Sequence, residues 1–178
     1  MSDKNGALVD EFVDDDELEA GDSNKYLLCR IGEEVYGIDI RHVTDIVEMQ
    51  GITYIPDMPE YVKGVINLRG KVIPSVDLRL RFGMQGREYD DRTCIVIIRM
   101  GDFSVGFIVD TVTEVLDVPG SDVEPPPSFQ RDEKKDRYIA GLAKIGQNVR
   151  ILLDVEKIVK QDELQDIDTN IKEESENV

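Results

Sequence analysis

The chain has 178 residues and a formal net charge of −17, which is enough for one ordinary domain or two very small ones. The acidity argues against binding to nucleic acid or to an anionic membrane, because both require a basic surface and no basic stripe is visible. There is neither an apolar run of membrane-spanning length nor a signal peptide, so the sequence predicts a cytosolic protein without direct membrane contact.

The negative charge is concentrated at the two ends of the chain. Residues 1–24 hold nine acidic side chains and one lysine, and residues 161–178 hold seven acidic side chains and one lysine. Such composition is typical of solvated, flexible termini. The sequence therefore predicts acidic tails at 1–23 and 161–178 around a folded domain at 24–160.

The middle of the chain contains an internal repeat in two blocks. Residues 26–49 align without a gap with residues 95–118, and residues 61–82 align in the same way with residues 138–159. The blocks occur in the same order in both halves. This order predicts two similarly built units, and the second unit has a longer spacing between its blocks, at the proline-rich and charged surface loop 119–137.

Most predicted elements are β-strands. YLLCRI and TCIVIIRM have the length and branched residues of strands, and VYGIDI and VGFIVD follow glycine turns as hairpin partners. VINL and KVIPSVDL form another hairpin, in which Pro74 predicts an edge position or a bulge. About five strands per half predict two small barrels that pack together, in the approximate halves 25–84 and 92–160.

Helix is scarce in the predicted structure. PEYVKG is long enough for one turn, and DVEKIVKQ predicts a short helix that Asp154 caps. Leu164, Ile167 and Ile171 form a weak apolar stripe, which leaves open a short docking helix or a disordered tail.

The sequence offers little for catalysis or cofactor binding. His42 is the single histidine and no nucleophile motif accompanies it, so an exposed turn residue is the favoured interpretation. Cys29 and Cys94 lie in strand-like runs without metal-ligand spacing and are expected to be reduced and buried. Asp77 and Asp154 follow strands at equivalent repeat positions; an acid–base pair is conceivable, but caps are favoured. We expect no catalytic site, metal or cofactor.

Arg69 distinguishes the two copies of the repeat. The first copy reads NLRGK at its hairpin, where the second reads KIGQN. A turn needs only glycine or asparagine there, so the arginine is additional. Its planar guanidinium suits an ion pair with a carboxylate across a surface, and the alternative is a solvated turn residue.

The segments YGIDIRHVTDI, PEYVKGVINLRGKVIPSVDLR, VGFIVDTVTEVL and GLAKIGQNVRILLDVEKI strongly resemble the CheW family of bacterial chemotaxis coupling proteins. The resemblance covers about residues 24–160. It implies a mainly β fold of two five-stranded SH3-like barrels around a shared apolar interface, with short helical segments near the C-terminus. It also implies a non-enzymatic adaptor that couples methyl-accepting chemotaxis receptors to the regulatory domain of the histidine kinase CheA, and that associates with itself or other CheW-like proteins in arrays.

The resemblance also assigns roles to residues. Arg69 matches the arginine of the NLRG motif and implies a signalling pair with Asp45, where many relatives carry glutamate; the turn motif adds Asn67, Leu68 and Gly70. The receptor groove of the family maps to six aliphatic side chains, which are equally well explained as core: Leu27, Ile40, Val43, Ile46, Val109 and Val112. Kinase contacts are expected among apolar residues at the barrel ends.

Two alternatives remain at this point. The same module occurs in the regulatory domain of CheA-like kinases and in CheV-like proteins, but the sequence shows neither an ATP-binding region nor a receiver domain. An unrelated small-barrel binding protein is the more distant alternative, and it would need a basic aromatic face or a polar cleft.

Overall fold

The computed structural model describes residues 23–126, 138–160, 163 and 165–169. Most of the two predicted acidic tails lies outside these residues. The described strands are β1 (Ser23–Ile31), β2 (Glu34–Asp39), β3 (Val43–Glu48), β4 (Val62–Leu68), β5 (Lys71–Asp77), β6 (Cys94–Met100), β7 (Phe103–Val109), β8 (Thr111–Pro119), β9 (Val123–Glu124), β10 (Ile139–Ile145) and β11 (Asn148–Leu153).

Within the described residues, the helical segments are short. The α-helices are α1 (Leu78–Arg81) and α2 (Val155–Ile158), and single 3₁₀ turns form at Ile40–His42 and Gly120–Asp122. Residues 165–169 are also helical. Ile167 of this segment is 4% exposed and packs in the main core, whereas Leu164 and Ile171 lie outside the described residues. Of the two alternatives for this apolar stripe, Ile167 therefore agrees with a short docking helix.

The strands form two antiparallel-dominated sheets, which are the two SH3-like barrels. Sheet 1 has the order β8-β1-β2-β11-β10-β9, and sheet 2 has the order β3-β6-β7-β5-β4. The predicted mainly β fold is confirmed. The two-residue strand β9 makes sheet 1 six-stranded, and an isolated bridge between Thr53 and Val65 occupies the matching place in sheet 2.

The sheets do not coincide with the halves of the repeat. Sheet 1 combines β1 and β2 of the first half with the four strands β8–β11 of the second, and sheet 2 combines β3–β5 with β6 and β7. The assignment of one barrel to each half, 25–84 and 92–160, is therefore wrong in strand content. When each strand is replaced by its repeat counterpart, the order of sheet 1 without β9 becomes the order of sheet 2. The two halves of the repeat thus exchange strands, so that each sheet contains strands from both halves.

The residues that recur in the repeat occupy matching geometric positions. Gly37 and Gly106 lie where β2 and β7 pair in parallel with β11 and β5, and a Cβ at Gly106 would come 2.7 Å from Ile95 Cγ2. Thr44 and Thr113 lie at the register shifts of the β3–β6 and β1–β8 ladders. Each threonine hydroxyl donates to a carbonyl of the opposite strand, at 3.3 and 3.1 Å, which identifies both as β-bulge residues.

In the part of the chain that the structure describes, buried side chains form three apolar clusters. One is built from sheet 1 alone, around Leu28 and Leu152, and one from sheet 2 alone, around Ile95 and Ile108. The largest combines side chains from both sheets, including Leu27 and Phe107. The first two are barrel cores, and the third is the shared apolar interface that was predicted between the barrels.

Pro74 lies within β5, an interior strand of sheet 2. It pairs with Val65 of β4, but the β5–β7 ladder begins only at Ser75. Pro74 therefore occupies a stretch of the strand that has a neighbour on one side only, where its missing N–H leaves no ladder bond unmade. The predicted edge position holds locally, although the strand as a whole is internal.

Candidate functional site

The hairpin between β4 and β5 presents Arg69 at its tip. Arg69 and Gly70 have φ angles of 54° and 83°, so the turn requires two left-handed residues. The Gly70 N–H donates to Asn67 Oδ1 at 2.9 Å, which stabilises the turn. An arginine in this conformation is unusual, because a Cβ disfavours it. The hairpin therefore fixes the backbone from which the exposed guanidinium projects.

The structure brings Arg69 and Asp45 together. Arg69 Nη2 lies 3.1 Å from Asp45 Oδ2, and the two side chains are 77% and 7% exposed. The distance is that of an ion pair, but the atoms are not aligned for a hydrogen bond, since Oδ2 is buried without a hydrogen-bond partner. Asp45 Oδ1 accepts from the Ile46 N–H at 2.9 Å. The charge of a buried carboxylate is thus balanced by one solvent-facing guanidinium.

The same contact shows how sheet 2 closes. Asp45 lies on β3 and Arg69 follows β4, which are the first and last strands in the order of sheet 2. Their side chains can approach to 3.1 Å because the sheet curls and brings its two edge strands toward each other. The ion pair therefore lies at the seam where this barrel closes.

Five of the six side chains predicted to line a receptor groove are in the core. They are 1–5% exposed and belong to the cluster between the sheets: Leu27, Ile40, Val43, Ile46 and Val109. Because they are almost completely buried, none of them offers open surface in this structure. Val112 alone is half-buried and accessible. Their burial agrees with the alternative that they are core, and their assignment to a receptor groove stays a prediction.

Two half-buried side chains that sequence reasoning did not select lie with Val112. Val115 and Cys94 pack against the same shared core from its rim. The repeat contained a signal for the first of these, because Val112 and Val115 of β8 correspond to Val43 and Ile46 of β3. Val112, Val115 and Cys94 thus form one accessible apolar edge of the shared core, on β8 and at the start of β6, which we call the β8 rim.

Each barrel also exposes an apolar side chain on one hairpin. Val72 on β5 is 50% exposed and Val149 on β11 is 54% exposed. They are counterparts in the repeat and pair across their hairpins with Asn67 and Lys144. The turn residue Leu68 is half-buried against the core of sheet 2. Sequence reasoning expected apolar barrel-end residues but did not single these out.

Other candidate residues form no reactive arrangement. His42 is half-buried at the end of a 3₁₀ turn, and the described residues contain no group of three potential metal ligands. Cys29 and Cys94 are free thiols. Burial raises the pKa of Cys29 to about 12, which disfavours the reactive thiolate. In the described part of the chain no helix is both long and apolar enough to cross a bilayer.

The comparisons with known proteins agree on one family. A model of the CheW-like domain matches residues 25–163. The chain is 36% identical over 148 residues to the chemotaxis protein CheW of Klebsiella aerogenes, covering 83% of this chain and 89% of the relative. It is 36% identical over 132 residues to the chemotaxis protein CheW of Helicobacter pylori, covering 74% and 79%.

A solved structure extends this agreement to the fold. The crystal structure of the scaffolding protein TtCheW from Thermoanaerobacter tengcongensis superimposes with a TM-score of 0.71 at 35% identity, covering 77% of this chain and 92% of that chain. Together with the two exchanged sheets and the NLRG hairpin, these matches show that the chain belongs to the CheW-like family of chemotaxis adaptor proteins.

Proposed function

We propose that the chain is a non-enzymatic adaptor that couples methyl-accepting chemotaxis receptors to the regulatory domain of the histidine kinase CheA in cytoplasmic arrays. The observation that carries the proposal is the Arg69–Asp45 pair, an exposed cation held at the barrel seam by a buried carboxylate. The family membership supports the adaptor role, and the name of the scaffolding relative agrees with it.

Arg69 is suited to a signalling contact because the two partners of its ion pair have different environments. Its partner Asp45 is buried, whereas the guanidinium retains free donors toward solvent. A receptor or kinase that bears a carboxylate could take over part of the guanidinium without unfolding the hairpin. Asp45 would then become less well balanced, and the seam of sheet 2 would respond to the partner.

The receptor contact is proposed at the apolar rim formed by Val112, Val115 and Cys94. A helical receptor tip needs a few aliphatic anchors in a groove, and these half-buried side chains offer them at the boundary of the two barrels. The buried residues predicted for the groove, such as Val43 and Ile46, belong to the same apolar cluster as this rim.

The kinase contact is proposed at the hairpin that exposes Val72 or Val149. An exposed branched side chain on a rigid hairpin is a suitable anchor for a second barrel. Because the two hairpins are counterparts, the chain offers similar surfaces at both ends. This arrangement also supports association with other CheW-like proteins in a ring or chain.

The test is a reconstituted kinase assay with receptor fragments and CheA. Wild type is expected to raise receptor-dependent autophosphorylation, and Arg69→Glu is expected to bind receptor but fail to raise it. Arg99→Glu is the matched charge reversal, since Arg99 is also exposed but donates locally, from Nε to Gly101 O at 3.3 Å. Arg69→Glu is expected to lower the free energy of unfolding, because it leaves the buried Asp45 carboxylate without its cation and adds a second negative charge nearby, so circular dichroism checks that the variant is folded under the assay conditions.

Two results would contradict the proposal. If Arg69→Glu supports as much kinase activity as wild type and Arg99→Glu, the pair is not a signalling contact. If wild type fails to stimulate the kinase with matched partners from the same organism, the adaptor role itself is wrong.

A further inference from the structure

The chain passes between the two sheets twice within the described residues. It leaves sheet 1 through the 3₁₀ turn Ile40–His42 and returns from sheet 2 at Asp110, between β7 and β8. Asp110 is 8% exposed, which is unusual for an acidic residue. Its environment explains how the carboxylate is tolerated at this point.

Asp110 is bonded to both sheets at once. Its N–H donates to Arg30 O of β1 at 3.0 Å, and its Oδ2 accepts from the Gly32 N–H of the β1–β2 turn at 2.8 Å. From sheet 2, Arg79 donates through Nε to Oδ1 and through Nη2 to Oδ2, both at 2.8 Å. Arg79 and Asp110 therefore form a bidentate, partly buried bridge between the barrels.

The Arg79 end of the bridge is itself fixed. Arg79 lies in α1, which directly follows β5, and its N–H donates to Asp77 Oδ1 at 2.9 Å. Asp77 Oδ2 in turn accepts from the Tyr89 hydroxyl at 2.7 Å. These bonds hold the backbone of Arg79 in place relative to β5. The position of the guanidinium therefore follows the orientation of sheet 2.

The bridge breaks the symmetry of the repeat. The counterpart of Asp110 is Arg41 at the other crossing, and the counterpart of Arg79 is Glu156 in α2. Arg41 pairs instead with Asp39, two residues away, at 2.6 Å. The charges at the other crossing are thus reversed and Arg41 is used locally, whereas Arg79 and Asp110 join separate sheets.

We propose that Arg79 and Asp110 form a latch that sets the angle between the barrels and thereby positions the β8 rim. The shared core is apolar and imposes little direction, whereas a bidentate ion pair is strongly directional. Asp110 stands one residue after Val109 and two before Val112, so the latch fixes the start of β8. The link to receptor coupling rests on the proposed function.

The test measures orientation first and coupling second. Residual dipolar couplings of backbone amides would give the orientation of sheet 2 relative to sheet 1 in wild type, Asp110→Asn and Arg79→Lys. Arg41→Gln is the matched control, because it removes the local pair at the other crossing. Both latch variants should shift the orientation beyond the control, and Arg79→Lys keeps the charge if Asp110→Asn folds poorly.

The same variants then enter the reconstituted kinase assay. Receptor-dependent stimulation should fall by about 2- to 30-fold in the latch variants. An orientation identical to that of the control would overturn the latch, and a shifted orientation with unchanged stimulation would overturn its positioning role. If wild type stimulates nothing, the proposed function fails, while the orientation measurement still decides the latch.

Discussion

At the scale of single residues, the repeat separates structural positions from the position for which we propose a signalling role. Gly37 and Gly106 recur because parallel strands approach closely there, and the two bulge threonines recur because each bonds a facing carbonyl. Asp45 has Glu114 as its counterpart, yet Asp45 is 5% exposed and paired, whereas Glu114 is exposed. The residues that recur in both copies shape the sheets. The two copies differ at Asp45, which is buried and paired with Arg69.

Gly106→Ala should destabilise the protein by about 1 to 3 kcal/mol, because the new Cβ would overlap Ile95 in a packed core. Gly51→Ala is the control, since a Cβ there meets no atom within 4 Å. Urea unfolding followed by circular dichroism measures both. Equal stability of the two variants would show that the close approach at Gly106 relaxes without cost.

At the scale of elements, two equivalent aspartates at strand ends perform different tasks. The N–H of Asp77 donates to Tyr61 O and that of Asp154 to Tyr138 O, each at 2.8 Å, so the backbones match. The Asp77 side chain caps α1, as predicted. Asp154 occupies the N-cap position of α2, but its side chain makes no capping hydrogen bond. The predicted side-chain cap is therefore wrong for Asp154.

Asp77→Ala should lower the free energy of unfolding by about 2 to 4 kcal/mol, because α1 loses its cap and the Tyr89 hydroxyl loses its acceptor. Asp154→Ala should cost less than about 1 kcal/mol, since the ion pair of its carboxylate with Lys157 is long, at 3.9 Å, and the lysine is exposed. Chemical denaturation of the two variants side by side tests the contrast. Similar losses would mean that backbone position alone determines the contribution.

At the scale of the whole molecule, the reciprocal exchange of strands makes the barrels mutually dependent. Every sheet needs strands from both halves, and the largest apolar cluster belongs to neither sheet alone. Directional contacts at the crossings add to this packing. Burial alone would raise the pKa of Asp110, but hydrogen bonds from Arg79 and Gly32, with the nearby charges of Arg79 and Arg87, hold that pKa below its usual range.

The lowered pKa predicts how stability depends on pH. The unfolded chain protonates Asp110 at about pH 3.9, before the folded protein does, so the carboxylate contributes stability above that pH and loses it as the pH falls further. The difference in unfolding free energy between wild type and Asp110→Asn should therefore be constant near neutrality and narrow below about pH 4. Urea titrations between neutral and acidic pH measure it; a difference that widens with acid would contradict the assignment.

The sequence by itself determined the strand content, the repeat and the pairing candidates, because alternation, turn glycines and motif residues are local properties of the chain. The Asp45–Arg69 contact was predicted from a motif and found at 3.1 Å. Only the tertiary structure decided which strands share a sheet, since a repeat is equally compatible with separate or exchanged barrels. It also decided that Leu27 and Val43 are core while Val115 is accessible, and it brought Arg79 to Asp110, because burial and long-range pairing depend on how distant segments pack.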